Sequence, residues 1–378
     1  MRIAFVYDVP YPWHVGGIES MNYNEAEELA KKHEVHFFTT KWEGMPGKNF
    51  RYNGIHYHAI HATEQSKIYR HGRRSIREAL AYASSMRRIF DYDFDVVITN
   101  AFPILHLSTI KRYCRSRGAK LIIEVAEVWD RDYWMKYMGR AMGRVAFSYS
   151  RRAIGGADFY VTISSATTEK LVKFGVSGSK ISVFAPNLDN EAIERVRRER
   201  IRRTKLVLFS GRMIKEKRID RWLIAFKSAQ MDDHSLRGLI IGSGPEKREI
   251  ENRIRDLGLR GRVVVRNFYR TNAELYRKIR QAALVLHMSE REGLGIIAIE
   301  SVALGTPVVL PSDTPIPKEV REMCVVSDEN EIPKRIIEIA NSGDPERYIH
   351  NRKNLATFSK SEVIKFYGAL FSRLRVRD

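Results

Sequence analysis

The stretch from His287 to Leu310, HMSEREGLGIIAIESVALGTPVVL, is the most informative part of the chain. It starts at the end of an apolar run, passes through a loop with two glycines, continues as an apolar segment and ends in the run TPVVL. A strand, a loop, a helix and a second strand in this order are typical of one parallel βαβ unit. Such a loop presents unpaired backbone N–H groups and the positive end of the helix dipole, which favour a phosphate.

Short apolar runs of this kind recur along the chain, between longer segments with helical periodicity. The first set comprises residues 2–7, 34–38, 55–60, 95–99, 120–125, 158–163 and 181–185. The second set comprises residues 204–210, 237–242, 262–265, 283–288, 306–310 and 323–326. Buried strands that alternate with helices predict an α/β fold with two Rossmann-like, parallel-sheet domains.

A polar and basic segment separates the two sets of runs. Residues 191–205, EAIERVRRERIRRTK, predict a solvated helix or a linker rather than a core strand. We therefore predict an N-terminal domain over residues 1–190 and a C-terminal domain over residues 191–359. Residues 360–378 carry apolar side chains at helical spacing, so we expect a helix there that packs on the protein and crosses back to the first domain.

Composition and charge restrict the class of protein. The chain has 378 residues with 44% hydrophobic and 29% charged side chains, which are globular values. Its two cysteines leave no room for a disulfide framework or a Cys-rich metal site and favour a reducing compartment. A net charge of +20 favours phosphate-bearing partners. With no signal-like or membrane-spanning apolar stretch in the sequence, we expect a cytoplasmic protein, either soluble or resting on a membrane surface.

Two cations follow the first strand of the second set. In FSGRMIKEKRID, residues 209–220, the strand ends in Ser-Gly-Arg, and Lys217 lies five residues after Arg212. Open α/β sheets bind ligands at the carboxyl ends of their strands. At these strand ends, the planar guanidinium of Arg212 and the compact ammonium of Lys217 would neutralise a diphosphate without a metal ion.

Two carboxylates lie in the stretch from His287 to Leu310. Glu292 and Glu300 are eight residues apart, which on one ideal helix is about 12 Å of rise and about 80° beyond two full turns. We expect the two carboxylates to face one elongated polar ligand at separate points. Carboxylate oxygens accept hydrogen bonds from sugar hydroxyls.

Two further glycine loops follow predicted strands. IIGSGPEK, residues 240–247, is a strand, a Gly-rich turn and a helix start with Pro245 at the first helical position. Near the N-terminus, Gly16 and Gly17 would let the backbone approach a ligand before a helix that begins near Ile18. Neither loop is a dinucleotide fingerprint.

Together these motifs resemble family 4 glycosyltransferases of the two-domain GT-B fold, in which the two domains face a cleft. The resemblance covers nearly the whole chain, and the order of the motifs makes it specific. They are the Gly16-Gly17 loop, the ADxxxTxS stretch at 157–164, Pro186-Asn187, the pair Arg212 and Lys217 after Gly211, the GSGP turn, and Glu292-x7-Glu300 followed by GTPVV.

The resemblance implies transfer of a sugar, with retention of anomeric configuration, from a nucleotide-sugar donor held mainly by the second domain. Arg212 and Lys217 would grip the diphosphate, Glu292 the donor sugar hydroxyls and Glu300 the ribose. The donor-binding set would be Gly16, Gly17, Gly211, Gly244, Gly293, Leu294, Gly295, Ile296 and Glu300. The acceptor, a saccharide or a lipid-linked saccharide, would meet the first domain.

The chain departs from the family pattern after the run KLIIEV. The family often has a His followed by Asp near a Trp at this point, whereas this chain reads EVAEVWD with Ala126 in the place of the His. Glu127 and Trp129 are the remaining candidates for contact with the acceptor.

No metal ion or cofactor is expected. The Asp-x-Asp pairs at 91–95 precede a strand and therefore lie at its amino end, away from the expected ligand crevice. The histidines at 33, 36, 56, 58 and 61 lack a convincing carboxylate partner in the sequence and are interpreted as surface or structural residues.

The excess of basic residues leaves other interpretations of the function open. The segments 67–90 and 136–154 read as basic helices with apolar faces, which would suit an anionic membrane surface. A nucleotide-sugar epimerase or synthase on the same fold is the alternative enzyme. A nucleic-acid-binding protein is the non-enzymatic alternative, but the sequence has no zinc-finger spacing and no RNP-type motif, so we expect no nucleic-acid partner.

Overall fold

In a computed structural model, the chain is described at residues 1–14, 16–63, 69–70, 73–186, 188–290 and 292–376. It divides into two compact units. Unit 1 comprises residues 1–187 and 359–378, and unit 2 comprises residues 188–358. The sequence-based boundaries, after residues 190 and 359, lie within three residues of these positions.

Unit 1 is built on an eight-stranded sheet, in the order β10-β9-β8-β7-β1-β2-β4-β3. Its strands are β1 Arg2–Val6, β2 Glu34–Lys41, β3 Asn49–Tyr52, β4 Ile55–Ala62, β7 Val96–Asn100, β8 Lys120–Val125, β9 Phe159–Thr162 and β10 Ile181–Val183. All neighbours are parallel except the edge pair β3 and β4. A separate ribbon pairs β5, Tyr69–Arg70, with β6, Arg73–Arg74.

Helices join these strands. They are α1 Gly17–Leu29, α2 Ile76–Ser85, α3 Leu107–Arg117, α4 Arg131–Met138, α5 Arg140–Ile154 and α6 Ser165–Lys173. Side chains alternate across the sheet, so that Val97 faces one core while its neighbours Val96 and Ile98 face the other. Both faces of the central strands are therefore covered, which explains why the strands read as continuous apolar runs.

Unit 2 repeats the plan with a six-stranded, all-parallel sheet in the order β13-β12-β11-β14-β15-β16. Its strands are β11 Leu206–Ser210, β12 Arg237–Ile241, β13 Val263–Arg266, β14 Leu284–Leu286, β15 Val308–Pro311 and β16 Val325–Ser327. Its helices are α7 Asn190–Arg198, α8 Ile219–Asp232, α9 Lys247–Asp256, α10 Asn272–Gln281, α11 Ile296–Ala303, α12 Lys318–Arg321 and α13 Ile332–Ala340.

The expected C-terminal helix is α14, Val363–Arg373, and it packs on unit 1. Val363, Tyr367, Leu370 and Phe371 are buried in the core that also holds β1. The Tyr367 hydroxyl lies between two buried carboxyls, 3.1 Å from Glu25 and 2.9 Å from Glu124. This contact joins α14 to α1 and to β8.

Three expectations need correction. Residues 190–198 form α7, whose Ala192, Ile193 and Val196 are buried, so this segment is not a fully solvated helix. Pro245 lies in a turn before α9 rather than at its first helical position. The edge strand β3 was not among the predicted strands, because its residues are half-buried or exposed and so form no apolar run.

Within the part of the chain that the structure describes, none of the helices combines the length and the apolar character that crossing a bilayer requires.

Candidate functional site

The predicted donor-site residues of unit 2 lie at one edge of its sheet, whereas Gly16 and Gly17 belong to unit 1. β11, β14 and β15 are neighbours in that sheet, and all run in the same direction. The loops that follow them therefore meet at their carboxyl ends, where open α/β sheets bind ligands.

The loop after β11 carries the two predicted cations. Gly211 donates its N–H to the Ile241 carbonyl at 3.0 Å, which fixes the start of the loop against β12. Arg212 is exposed, and no partner of its side chain is found among the described residues. Lys217 ends a short 3-10 turn, Lys215–Lys217, and its side chain is 17% exposed.

The GSGP turn after β12 supports that loop. A Cβ on Gly244 would clash with the Met213 carbonyl, and Gly244 has φ +154°, so only glycine fits here. The Met213 N–H donates to the Ser243 carbonyl at 2.7 Å. The predicted donor residue Gly244 thus lets the β12 loop pack directly on the Arg212 loop.

Glu292 lies at the centre of this cluster. Its Oε2 accepts a hydrogen bond from Lys217 Nζ at 2.6 Å, and His287 Nε2 lies 3.2 Å from the same oxygen. Burial alone would raise the pKa of the Glu292 carboxyl, but the contacts with His287 and Lys217 outweigh burial and lower that pKa to about 2. Glu292 is therefore ionised at neutral pH and acts only as an acceptor.

The two carboxylates do not share a helix as expected. α11 begins at Ile296, so Glu292 lies in the preceding loop and only Glu300 is helical. The reason is Gly295, whose φ of +79° is the left-handed conformation that starts the helix late.

The remaining predicted donor residues surround the start of α11. Gly293 is exposed, Leu294 is buried against the core, and Ile296 is the first helical residue. The free N–H groups at this end of α11 carry the positive end of its dipole. This N-terminus follows the Glu292 loop directly, so its dipole adds positive charge to this edge of the sheet.

Glu300 lies one turn into α11, in a different environment from Glu292. Its Oε1 accepts a hydrogen bond from the Tyr276 hydroxyl at 2.8 Å. Burial raises the pKa of the Glu300 carboxyl to about 7, with Tyr276 opposing the shift and the charge of Asp189 adding to it. The Glu300 carboxyl therefore changes charge near neutral pH.

In unit 1, Gly16 and Gly17 lie where β1 feeds α1. Gly17 is the first residue of α1 and Gly16 caps it in an extended conformation. A Cβ on Gly16 would clash with the Glu19 carboxylate, which also lies 3.6 Å from His14. The anionic group beside this helix N-terminus in the structure is therefore the side chain of Glu19.

The two predicted acceptor-side residues are in contact after β8. Trp129 Nε1 donates a hydrogen bond to Glu127 Oε2 at 2.9 Å. The Trp129 ring packs on Phe102, Tyr133 and Tyr137 with centroid distances of 4.9, 4.6 and 5.1 Å. Glu127 is thus held at the rim of an aromatic cluster.

The histidines of unit 1 have partners that the sequence analysis did not expect. His36 lies 2.8 Å from Glu34 and 2.8 Å from His58, and His61 lies 3.1 Å from Glu78. Among the described residues, no group of three or more His, Cys, Asp or Glu side chains could hold a metal ion.

Two contributors to the site were missed in the sequence. His287 ends the apolar run of β14, and Tyr276 faces Glu300 from α10. The polar residue at the carboxyl end of a buried strand was a usable signal for His287. Tyr276 is fully buried in the middle of an amphipathic helix, so its sequence pattern is that of a core residue.

Family models match both halves of the chain. Residues 15–191 match the model described as Glycosyltransferase Family 4. Residues 191–355 match the model described as Glycosyl transferases group 1. The two matches meet at residue 191, close to the boundary between the units.

Two related proteins are named as glycosyltransferases. An uncharacterized glycosyltransferase of Methanocaldococcus jannaschii is 35% identical over 109 residues, which span 29% of this chain and 27% of that protein. A GDP-mannose-dependent alpha-(1-6)-phosphatidylinositol monomannoside mannosyltransferase of Mycolicibacterium smegmatis is 25% identical over 79% of this chain and 78% of that protein.

Solved structures share the fold. The Anabaena protein HepE, in complex with UDP and glucose, superposes with a TM-score of 0.69 at 15% identity, covering 99% of this chain and 100% of that one. The lipopolysaccharide glycosyltransferase WaaG superposes with a TM-score of 0.65 at 17% identity, covering 96% and 95%. Both support two Rossmann-like domains of the GT-B type.

Proposed function

This chain is a glycosyltransferase that belongs to family 4 over residues 15–191 and to the group 1 glycosyl transferases over residues 191–355, and from that premise we propose its reaction. It moves a hexose-type sugar from a nucleoside-diphosphate sugar to a saccharide or lipid-linked saccharide. It retains the anomeric configuration and needs no metal ion.

The observation that carries the proposal is the grouping of Arg212, Lys217, Glu292 and the start of α11 at one sheet edge. Two cations and a helix N-terminus suit a diphosphate, because they supply preorganised positive charge where negative charge develops. The ionised Glu292 beside them suits donor sugar hydroxyls. Glu300, one turn further along, suits the ribose.

The reaction breaks the bond between the anomeric carbon and the diphosphate oxygen. Positive charge develops on the anomeric carbon and negative charge on the leaving phosphate, which Arg212, Lys217 and the α11 amides stabilise. The acceptor hydroxyl attacks from the same face, and its proton passes to the leaving phosphate. A new glycosidic bond and a free nucleoside diphosphate result, and no protein base is required.

The acceptor side of the proposal rests on unit 1. Glu127 offers acceptor oxygens, and the Trp129 cluster offers aromatic faces next to them. A saccharide combines hydroxyl donors with apolar ring faces, so this pair of features suits it. The M. smegmatis relative is named for a lipid-linked acceptor, and the Anabaena structure contains glucose.

A ligand panel tests the proposal. UDP, GDP, ADP and their sugars are added to the purified protein, with and without EDTA, and the thermal unfolding midpoint is recorded. We expect one diphosphate to raise the midpoint equally in both conditions, because a ligand that binds only the folded state stabilises it by mass action. NMR of the product should show the donor's anomeric configuration at the new bond.

Each alternative has its own outcome in this panel. If EDTA abolishes the rise in the unfolding midpoint, nucleotide binding requires a metal ion, which contradicts the proposal. Conversion of a nucleotide sugar into an isomer without acceptor would indicate the epimerase or synthase instead. No shift with any nucleotide would overturn the proposed donor class.

We also propose that unit 1 rests on the cytoplasmic face of a membrane through a basic apolar surface. α2 and α5 both pack against residues 104–106 and each exposes large apolar side chains beside arginines. The surface consists of Ile76, Leu80, Met142, Val145 and Tyr149 with Arg77, Arg140 and Arg144. Positive charge around exposed apolar groups complements anionic lipid, at about 1 kcal/mol per basic residue. Residues 67–68 and 71–72 of the predicted basic segment 67–90 lie outside the described residues.

Cosedimentation with vesicles tests this surface. The protein should bind vesicles that contain phosphatidylserine, more weakly at high salt, and hardly bind phosphatidylcholine alone. The double variant Met142→Ser/Val145→Ser should lose at least about tenfold in affinity, because two exposed apolar groups no longer enter the interface. Ile224→Ser/Met231→Ser removes equally exposed apolar groups from unit 2 and should bind normally. Equal losses in both variants would contradict the assignment.

A further inference from the structure

Arg218 adopts a backbone conformation that its side chain does not favour. It lies between the 3-10 turn of Lys217 and helix α8, with φ +48° and ψ +46°. This is the left-handed region, in which the Cβ of any residue but glycine crowds the neighbouring carbonyl. Glycine would fit the position without strain, so the arginine side chain must contribute something in return.

The side chain of Arg218 joins three loops. Its Nε donates to Glu290 Oε2 at 3.1 Å, and its Nη1 donates to Asp313 Oδ2 at 3.1 Å. Glu290 follows β14 and Asp313 follows β15, while Arg218 itself follows β11. One guanidinium therefore connects the carboxyl ends of three neighbouring strands.

These contacts lie next to the donor site without forming part of it. Arg218 directly follows Lys217, and Glu290 is two residues before Glu292. The main chain reinforces the link, because the Glu290 N–H donates to the Glu216 carbonyl at 2.9 Å. Besides the Lys217–Glu292 hydrogen bond itself, the turn that carries Lys217 and the loop that carries Glu292 are thus joined by a backbone contact and by the Arg218–Glu290 contact.

We propose that Arg218 is a positioning residue that sets the separation between Lys217 and Glu292. It keeps Lys217 and Glu292 at the separation that lets one donor molecule contact Lys217 through its diphosphate and Glu292 through its sugar. The proposal rests on the proposed function of this site, and it adds a residue that contacts no part of the donor.

The substitution Arg218→Gly separates positioning from simple stabilisation. Glycine removes the backbone strain, and the ion pairs it deletes are at the surface, where such pairs contribute little. We expect the unfolding midpoint to stay the same or rise. We expect the donor KM to rise about 5- to 20-fold. A change of this size is typical when two linked sites in a protein are uncoupled.

Three further variants sharpen the test. Glu290→Gln and Asp313→Asn each remove one partner of Arg218 and should each reproduce part of the rise in KM. Arg221→Ala is the matched control, because Arg221 on α8 forms a similar surface ion pair with Glu329, which follows β16 and not β14 or β15. It should leave the donor KM unchanged.

The outcomes separate the two proposals. If the wild-type protein binds a nucleoside diphosphate and Arg218→Gly has the same donor KM, the positioning role is wrong and the proposed function stands. A rise in KM that accompanies a matching fall in the unfolding midpoint would assign Arg218 a purely stabilising role and also overturn the inference. If the wild-type protein binds no nucleoside diphosphate, the proposed function itself fails.

Discussion

Lys217→Ala is expected to lower kcat/KM for the donor by about 100- to 1000-fold, the loss typical of removing one preorganised group that stabilises developing negative charge. The Lys217 side chain is mostly buried and its ammonium bonds Glu292 at 2.6 Å, so alanine removes the positive charge proposed to face the diphosphate and also a partner of the carboxylate proposed to bind the sugar. Lys217→Arg should recover only part of the activity, because a planar fork replaces a compact charge.

The control for this experiment lies in the same turn. Lys215 is exposed, two residues before Lys217, so Lys215→Ala changes the net charge equally without touching the cluster. It should keep nearly wild-type activity. We would measure the steady-state rates of both purified variants and use thermal unfolding to check that each is folded. Wild-type kcat/KM in a folded Lys217→Ala protein would remove Lys217 from the site.

The second large effect concerns stability and pH in unit 1. Burial, together with the charge of Glu124, holds the pKa of the Glu25 carboxyl well above its ordinary value. Glu25 therefore keeps its proton in the folded state and releases it in the unfolded state, so rising pH favours unfolding. The resulting loss of stability begins above the ordinary carboxyl pKa and continues up to the folded-state pKa, at about 1.4 kcal/mol per pH unit.

Glu25→Gln is expected to remove this pH dependence. Glutamine has the shape of the protonated carboxyl but cannot ionise. Urea unfolding at several pH values, followed by tryptophan fluorescence, reports mainly on unit 1, which holds four of the five tryptophans. The variant should gain stability relative to wild type as the pH rises. Glu169→Gln, at an exposed position on α6, should follow the wild-type curve. Parallel curves for wild type and Glu25→Gln would show that Glu25 is ionised in the folded protein.

Much of the fold could be predicted because, apart from the edge pair β3 and β4, both sheets are parallel, and their central strands are covered on both faces. Every central strand, such as β7 or β14, then reads as an apolar run, and helices separate the runs. The edge strand β3 lacks that burial and was missed for the same reason. α14 could be predicted as a helix from its spacing, and the buried position of Tyr367 explains why it packs on unit 1.

The predicted donor residues of unit 2 come together because the carboxyl ends of parallel strands share one edge. Arg212 and Lys217 follow β11, and Glu292 follows β14, as their placement in the sequence indicates. What the sequence could not show was the conformation of single residues. The left-handed Gly295 moved the start of α11 beyond Glu292, and nothing in the sequence indicates the left-handed conformation of Arg218.

The path of the chain has a consequence for its synthesis. Unit 1 consists of two stretches, and all of unit 2 lies between them in the sequence. Residues 188–358 therefore leave the ribosome before α14 does, and domains fold as units while the chain is being made. Until α14 arrives, unit 1 lacks the Tyr367 hydroxyl for Glu25 and Glu124 and part of its core. Unit 2, although it comes second in the chain, has all its residues available first and is expected to complete its folding first.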